Sequence, residues 1–309
     1  MTHPATLPDF LRAFVDDAAI FPPANTPLEQ AVAEHVAHRT EEYADLVGAF
    51  VVSDVRVADL ASVVEERARD GGRAASEESR PVSAPLGINL VVTGGAGAIE
   101  PAVTWVSRSE GLSLRALEFA LRDEDDLAHN ARRLVHVVDS IEGLLDDVTV
   151  FAEPPIPPGA PSHGWLAALD ELAAREIAVK FRTGGVTADL FPSASRLATC
   201  IEAALDRELP FKCTAGLHNA LRHRDDGTGF EHHGFLNVLL ATRASLDGGS
   251  AEDVSAVLED GDGAALAARL TADPALAART RRWFTSFGSC SVLEAHEDLV
   301  ELGLLGGAA

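Results

Sequence analysis

Short apolar runs typical of β-strands alternate with helical stretches along almost the whole chain, and this alternation limits the fold more than any other feature. Parallel strands need a crossover connection, which a helix usually supplies. Eight strand-helix units predict one closed (β/α)8 TIM barrel spanning 1–309 as a single domain. The predicted strands are 18–21, 46–53, 86–93, 114–121, 148–152, 177–182, 211–214 and 283–289, and the predicted helices are 28–38, 57–69, from about 98, from about 125, 165–174, 193–207 and 293–302.

A doubly wound open sheet is the alternative for this pattern. That fold usually carries a Gly-x-Gly-x-x-Gly loop after its first strand. The nearest sequence is Thr-Gly-Gly-Ala-Gly at 93–97, which follows the third predicted strand. The barrel is therefore favoured.

Two segments exceed a minimal barrel. The polar stretch 77–85 predicts a loop before the third strand, and an insertion at about 219–282 separates the seventh and eighth strands. The insertion contains an apolar helix at 233–245 and an alanine-rich stretch at 264–270. Such an insertion can act as a lid or as the contact of a homo-oligomer, and the sequence leaves both open.

The charge balance sets the class of partner. The chain carries 48 acidic and 25 basic residues, a net charge of −23, which disfavours nucleic acid and anionic membrane surfaces. It shows no basic start followed by an apolar stretch and no run of about 18 apolar residues, so we expect a soluble cytoplasmic protein. Its three cysteines match no disulfide framework or zinc motif.

Lysine is almost absent from the chain. Only Lys180 and Lys212 occur, whereas the other 23 of the 25 basic residues are arginine. Arginine supplies nearly all of the positive charge, but its guanidinium group cannot readily lose a proton. The two lysines therefore indicate positions where the chemistry needs an amine. Both lie in strand-like runs that end in glycine.

Strand alternation predicts where these side chains point. Lys180 and Arg182 share one face of strand six, and Lys212 shares a face with Thr214 on strand seven. Charged groups cannot face the apolar helix layer cheaply, so they should point into the barrel. Glu118 and Glu153 on strands four and five should do the same.

This set suits carbonyl chemistry. A desolvated lysine beside a second cation has a lowered pKa and supplies the neutral amine that adds to a carbonyl. An adjacent carboxylate or lysine can then move protons. Either lysine could be the nucleophile by this argument.

Several motifs resemble deoxyribose-phosphate aldolase and related barrel class I aldolases. Lys180-x-x-Thr183-Gly184 resembles the motif whose lysine forms the Schiff base, and Lys212-x-x-Ala-Gly216 resembles the second lysine motif, whose lysine depresses the pKa of the first. The resemblance implies Lys180 as nucleophile and Lys212 as its activator. Further motifs are similar in the segment containing Asp16, at Glu118, and at the phosphate loop containing Gly288 and Ser289.

The chain also departs from that family. Leu217-His218 breaks a paired glycine, Arg182 replaces a small polar residue, and the single tyrosine, Tyr43, leaves the family's C-terminal tyrosine without a counterpart. A substrate other than deoxyribose phosphate is therefore expected. The Phe-Pro-Pro-Ala, Arg-Thr-Gly-Gly and Ser-Phe-Gly-Ser-Cys-Ser motifs also resemble an uncharacterised bacterial protein family, which implies no function.

Glycines and one arginine predict an anion site. Backbone N–H groups near Gly184, Gly185, Gly288 and Ser289 could hold a phosphate where strands end, and Arg182 could grip a carboxylate or phosphate. We expect a small anionic metabolite, phosphorylated or carboxylated, and no cofactor. The full set expected to contact it is Arg182, Thr183, Gly184, Gly185, Thr214, Gly216, His218, Gly288, Ser289 and Glu153, with Lys180, Lys212, Glu118 and Asp16 as catalytic candidates.

Two other functions stay open. A divalent metal such as Mg or Zn could be held by Glu118, Glu153 and His218, and Asn89 on strand three could join the carboxylates as a ligand. Such a site would serve a lyase or isomerase. The barrel could also bind a metabolite without turning it over. Cys213 and Cys290 lie near strand ends, but a structural thiol is the preferred interpretation of both.

Overall fold

A computed structural model shows eight parallel strands closed into one barrel, which confirms the predicted fold. It describes residues 7–74, 84–122 and 124–306. The predicted loop at 77–85 lies mostly outside them. The barrel strands are β1 Val15–Asp17, β2 Val47–Ser53, β3 Leu86–Val92, β4 Leu112–Ala120, β5 Thr149–Glu153, β6 Ala178–Arg182, β7 Phe211–Thr214 and β10 Phe284–Ser289. Strands β8 His223–Arg224 and β9 Glu231–His232 form a separate hairpin.

Helices cover the outside of the barrel. They are α1 Leu28–His38, α2 Val57–Ala74, α3 Ile99–Ser107, α4 Leu127–Ser140, α5 His163–Ala173, α6 Ala194–Leu205, α7 Phe235–Leu246, α8 Ala251–Glu259, α9 Gly263–Ala272, α10 Pro274–Thr280 and α11 Val292–Glu301. The predicted helices lie at these positions to within a few residues. No helix in the described ranges is both long and apolar enough to cross a bilayer.

The first strand was predicted in the wrong place. It covers Val15–Asp17, not 18–21, which forms a turn closed by the Phe21 amide donating to the Ala18 carbonyl. This strand contains two acidic residues, so it does not show the apolar run by which the other strands were predicted. They alternate as a strand should, because Asp17 points outward and bonds His35 of α1 at 2.9 Å, while Asp16 points into the barrel.

The insertion splits into two parts with different roles. Residues 219–234 include a short hairpin, β8 His223–Arg224 paired with β9 Glu231–His232, beside the mouth of the barrel. The helix α7 then contacts β10 and α6, as the seventh helix of a barrel should, and α8, α9 and α10 cover its other side. Because α7 lies between barrel and outer helices, it is buried on nearly all sides. Only the hairpin part is placed to act on a ligand.

Asn237 holds the hairpin segment to these helices. Its side-chain oxygen accepts from the Arg222 amide at 2.8 Å, and its amide nitrogen donates to the carbonyls of Val257 and Asp260 at 2.9 and 2.7 Å. The residue is fully buried. These bonds fix the chain that enters the hairpin relative to α7 and α8.

Strands β6 and β7 end in a close backbone approach. Gly216 has a φ of +73°, and a Cβ on it would lie 2.8 Å from the Thr183 carbonyl oxygen and 2.9 Å from the Cα of Gly184. Thr183 is buried and its hydroxyl donates to the carbonyl of Ala215. Glycine at 184 and 216 is therefore required by packing between the two strand ends that carry the lysines.

Replacing Gly216 with Ala should lower the free energy of unfolding by about 1–3 kcal/mol, since it adds a clash in the left-handed region. Urea denaturation of both proteins measures this. Gly143→Ala is the control: that glycine is exposed and a Cβ on it meets nothing within 4 Å, so we expect a change within about 0.5 kcal/mol. Equal stability of the two variants would contradict the packing argument.

Candidate active site

Six charged side chains form one continuous chain of ion pairs inside the barrel. Its order is Arg182, Glu153, Lys180, Glu118, Lys212 and Asp16, so the charges alternate in sign. The five nitrogen-to-oxygen distances between neighbours are 2.8, 2.8, 2.7, 2.7 and 2.6 Å in that order. Three positive and three negative charges compensate one another. Five of the six were predicted to point into the barrel, whereas Asp16 was named only as a catalytic candidate through the resemblance.

Strand register brings the two lysines together. Lys180 of β6 is the Cα partner of Lys212 of β7, and both side chains point inward. Glu118 reaches the same level from β4 and bonds each ammonium with a different carboxylate oxygen. Lys212 also lies 5.4 Å from the centre of the Phe151 ring, which forms part of the layer below. The strands thus place a carboxylate between the two amines.

Asp16 is held from three sides. Besides Lys212, its carboxylate accepts from the Ser286 hydroxyl at 2.8 Å and from the Ala49 amide at 3.1 Å. Gly48 makes room for it, because a Cβ there would lie 2.4 Å from Oδ1 of Asp16. Ser286, Ala49 and Gly48 were not predicted as site residues, since they carry no signal in the sequence beyond strand pattern.

Both glutamates are held as carboxylates. Burial by itself would raise the pKa of Glu118, but Lys180 and Lys212 outweigh it and lower that pKa to about 2. Burial also opposes the charge on Glu153, and Lys180 with Arg182 outweighs it in the same way, so its pKa is lowered. Neither group would take up a proton at neutral pH while the network is intact.

The lysines behave differently from the prediction. Burial favours the neutral amine, but each ammonium bonds two carboxylates, and these raise the pKa of both Lys180 and Lys212. The expected lowering by a second cation does not occur, because Glu118 lies between the two amines. Any chemistry at a neutral amine therefore requires a change in the network.

Four members of the network, Glu118, Lys180, Arg182 and Lys212, form the floor of a cavity of about 460 Å³ at the end of the barrel where the strands terminate. Glu153 and Asp16 lie behind them and do not line it. Glu118, Lys180 and Lys212 are exposed to it, although each is at least nine-tenths buried. Apolar side chains line the cavity on two sides, and the hairpin supplies a polar rim. These apolar side chains are Phe21, Pro22, Pro23, Val51 and Val91 on the side of β1 to β3, and Val186, Leu190 and Phe191 in the segment after β6.

Arg182 is the exposed end of the charge network. Its side chain is 41% exposed, whereas that of Lys180 is 3% exposed. It lines the cavity and donates to Glu153 through Nε only. The remaining guanidinium N–H groups are available to an anion in the cavity.

The predicted anion-binding residues do not all reach the cavity. Arg182, Gly185, Thr214, Gly216, His218 and Gly288 line it. Thr183 and Gly184 serve the strand contact described above and do not line it. The hydroxyl of Ser289 is buried and donates to the Ser291 carbonyl at 2.9 Å, so it is engaged in a turn away from the ligand space.

The arrangement does not favour the metal alternative. Each carboxylate oxygen of Glu118 and Glu153 already bonds an ammonium or guanidinium group. His218 lies apart from them and bonds Glu294 at 3.1 Å. Within the described part of the chain, no group of three or more His, Cys, Asp or Glu residues is arranged to hold a metal ion.

A second polar cluster at the rim was not predicted as a unit. Cys290, His218 and Glu294 all line the cavity and contact one another. Only His218 was named as a ligand-binding residue. Glu294 is 76 positions from His218 in the chain, so no local spacing could have paired them.

No protein-family model matches the chain, and no curated protein matches it. A TIM barrel hosts many unrelated activities, and most proteins of this fold are enzymes. The function must therefore be argued from the geometry of the cavity and its charged floor.

Replacing Glu118 with Gln should lower the free energy of unfolding by about 3–5 kcal/mol at pH 7, because it leaves buried ammonium groups undercompensated. The pKa of Glu118 falls from 4.5 to about 2 on folding. Its stabilising contribution is thus present above about pH 5 and lost as the pH falls towards 2. Chemical denaturation should show a smaller difference between variant and wild type at pH 3 than at pH 7.

Glu171→Gln serves as the matched control, since Glu171 pairs with Arg132 at 2.8 Å on the surface. An exposed pair contributes at most about 1 kcal/mol. A loss in Glu118→Gln no larger than in this control would show that the buried network adds little to stability.

Proposed function

We propose that the protein is a lyase of the class I aldolase type, which forms a Schiff base between Lys180 and a small anionic carbonyl substrate. The observation that carries this is the position of Lys180. Its amine lies at the floor of the cavity, between two carboxylates, and the second of them is bonded to the partly exposed Arg182. The resemblance of the two lysine motifs to barrel class I aldolases supports the same reaction.

The fixed surroundings of Lys212 favour Lys180 as the nucleophile. Lys212 bonds Glu118 and Asp16, and Asp16 is held in addition by a hydroxyl and a backbone amide. Asp16, Ser286 and Ala49 do not line the cavity, so a ligand there would not contact them directly. Lys180 instead shares Glu153 with Arg182, which a ligand can reach. Lys212 then keeps Glu118 charged and in place.

An anionic substrate would supply the missing activation. A phosphate or carboxylate that binds Arg182 competes with Glu153 for the guanidinium group. Because that group is nearest Glu153, its withdrawal raises the proton affinity of Glu153 more than that of Lys180. Glu153 can then accept a proton from Lys180 and leave a neutral amine. Binding of the anionic group at Arg182 would therefore itself produce the neutral amine on Lys180.

The chemical steps follow from that neutral amine. Its lone pair adds to the carbonyl carbon, the carbonyl oxygen takes a proton, and loss of water gives an iminium ion. A base then removes the proton of the substrate's β-hydroxyl group, the carbon-carbon bond breaks, and one fragment leaves as a carbonyl compound. The electron pair of that bond forms the carbon-carbon double bond of an enamine, and the iminium π electrons move to nitrogen. Protonation of the enamine carbon and hydrolysis of the imine release the second fragment and Lys180. Glu153, which is bonded to the amine of Lys180 and has taken up its proton, is placed to return and remove protons in these steps.

The cavity indicates the form of the substrate. An anionic group would lie at Arg182 and the carbonyl carbon at Lys180. The carbon chain would contact the apolar side chains that line the cavity. A volume of about 460 Å³ accommodates a small metabolite and excludes a polymer. This agrees with the expected phosphorylated or carboxylated carbonyl compound.

Borohydride trapping tests the reaction directly. The protein is incubated with phosphorylated and free aldehydes, ketones and keto acids, reduced, and digested for peptide mass spectrometry. We expect a reduced adduct on Lys180 in the wild type and no adduct in Lys180→Met. In Lys212→Met the adduct should still form on Lys180. Thermal unfolding confirms that each variant folds.

The outcomes separate the remaining functions. An adduct on Lys212 in place of Lys180 would reverse the assignment of the nucleophile. Ligand binding by calorimetry without any adduct or turnover would instead support a barrel that only binds a metabolite. Turnover that requires a divalent ion, with no adduct, would support the metal-dependent lyase.

Arg182→Gln tests activation by the anion. For a phosphorylated aldehyde we expect kcat/KM to fall about 10- to 100-fold, since a charged hydrogen bond contributes about 1.5–3 kcal/mol. For the same aldehyde without phosphate the rate should be unchanged or higher, because Glu153 is already released. Arg132→Gln, which alters a surface pair, is the control. Equal losses for both substrates would contradict the role given to Arg182.

A further inference from the structure

Cys290, His218 and Glu294 form a cluster at the rim of the cavity that the proposed reaction does not use. The sulfur of Cys290 lies 3.5 Å from Nδ1 and 3.7 Å from Nε2 of His218. Nδ1 also contacts a carboxylate oxygen of Glu294 at 3.1 Å. All three line the cavity, and the thiol is partly exposed.

The surroundings place a positively charged ring beside the sulfur of Cys290. Burial favours a neutral ring on His218, but Cys290 and Glu294 outweigh it and raise its pKa to about 9. Cys290 also lies directly before α11, whose first turn Ser291 caps by accepting from the Glu294 amide. Both a nearby imidazolium and the start of a helix stabilise a thiolate.

Other titratable groups nearby are histidines of the hairpin. The charge of His223 contributes to lowering the pKa of Glu294, and the charge of His218 contributes to lowering the pKa of His232. Burial and the neighbouring His223 lower the pKa of His232, so it does not add a permanent positive charge. Glu294 is the acidic group in contact with the His218 ring, and it is half exposed.

The other two cysteines lack this setting. Cys200 and Cys213 are buried in the apolar layer outside the barrel strands and do not line the cavity. Burial raises the pKa of both thiols, that of Cys200 to about 12. They serve as internal controls for any reaction of Cys290.

We propose that Cys290 is a nucleophilic thiol, paired with His218, which captures small aldehydes and other soft carbon electrophiles at the entrance of the cavity. With an aldehyde, the thiolate sulfur bonds to the carbonyl carbon, and the carbonyl π electrons move to oxygen. His218 then gives its proton to that oxygen, which leaves a neutral hemithioacetal and a neutral imidazole. The step needs no oxidant and is reversible.

The adduct would occupy the space that leads to the charged floor. A carbon group on the sulfur of Cys290 lies within the lining of the same cavity that exposes Lys180. Covalent occupation of the rim should therefore block access to the amine. This inference does not depend on Schiff base formation, since it concerns a different nucleophile and has its own measurement.

Alkylation by iodoacetamide, followed by peptide mass spectrometry between pH 5.5 and 9, tests the thiol. We expect Cys290 alone to react in the folded protein. In His218→Gln the rate should fall at least ten-fold at pH 6.5, because the positive charge beside the sulfur is removed. Propanal should slow alkylation reversibly, also in Lys180→Met, where no Schiff base can form at that lysine.

Glu294→Gln provides a second variant, because this side chain is half exposed. Without the carboxylate, His218 loses its proton at lower pH, so alkylation of Cys290 at pH 8 should be slower than in the wild type. The proposal is overturned if Cys290 reacts at the same rate in the wild type and in His218→Gln. It is also overturned if Cys290 reacts only after unfolding, as Cys200 and Cys213 should.

Discussion

The buried chain of alternating charges is the interaction on which the rest of the structure depends. Placing six ionised groups inside a barrel would cost several kcal/mol for each one if it were unpaired. Closure of the barrel brings β1, β4, β5, β6 and β7 to one level, so that each inner charge meets two of opposite sign. The glycines that let β6 and β7 end side by side, and the glycine that leaves room for Asp16, are consequences of the same requirement. The outer helices contribute apolar packing around this polar interior.

A compensated network is by itself compatible with a purely structural role, since paired charges can fill a barrel. Two features argue against that role here. The network forms the floor of a cavity, and one of its ends, Arg182, is open to that cavity. An aliphatic core would pack as well without the desolvation cost. Because Glu118 lies between the lysines, both resting amines are held in the protonated form. In the proposed reaction, activation therefore comes from the ligand and not from a permanent neighbouring cation.

Much of this could be predicted from the sequence, for reasons that can be traced to single elements. Strands such as β6 and β7 are apolar on the face toward the helices, so Lys180, Arg182 and Lys212 were predicted to point inward, as they do. The first strand was misplaced because Asp16 and Asp17 break its apolar pattern. The raised pKa of the lysines could not be predicted, because its sign depends on which groups stand between them, and strand alternation gives a side but no distance. The contact of His218 with Cys290 and Glu294 depends on how the segment after β7 meets the start of α11, which no local pattern encodes.

The net charge of −23 disfavours an anionic ligand over most of the surface. Screening limits that repulsion, because exposed charges act over only about 8 Å at physiological ionic strength. Inside the cavity the balance is local: the floor is neutral as a whole, Arg182 has free donors, and the ring of His218 is held in its charged form at the rim. For the proposed anionic substrate, the attraction therefore comes from Arg182, because the charge on His218 is offset by the Glu294 carboxylate that it contacts. Since exposed charges act over only a short distance, the acidic exterior would not cancel the attraction at that guanidinium group.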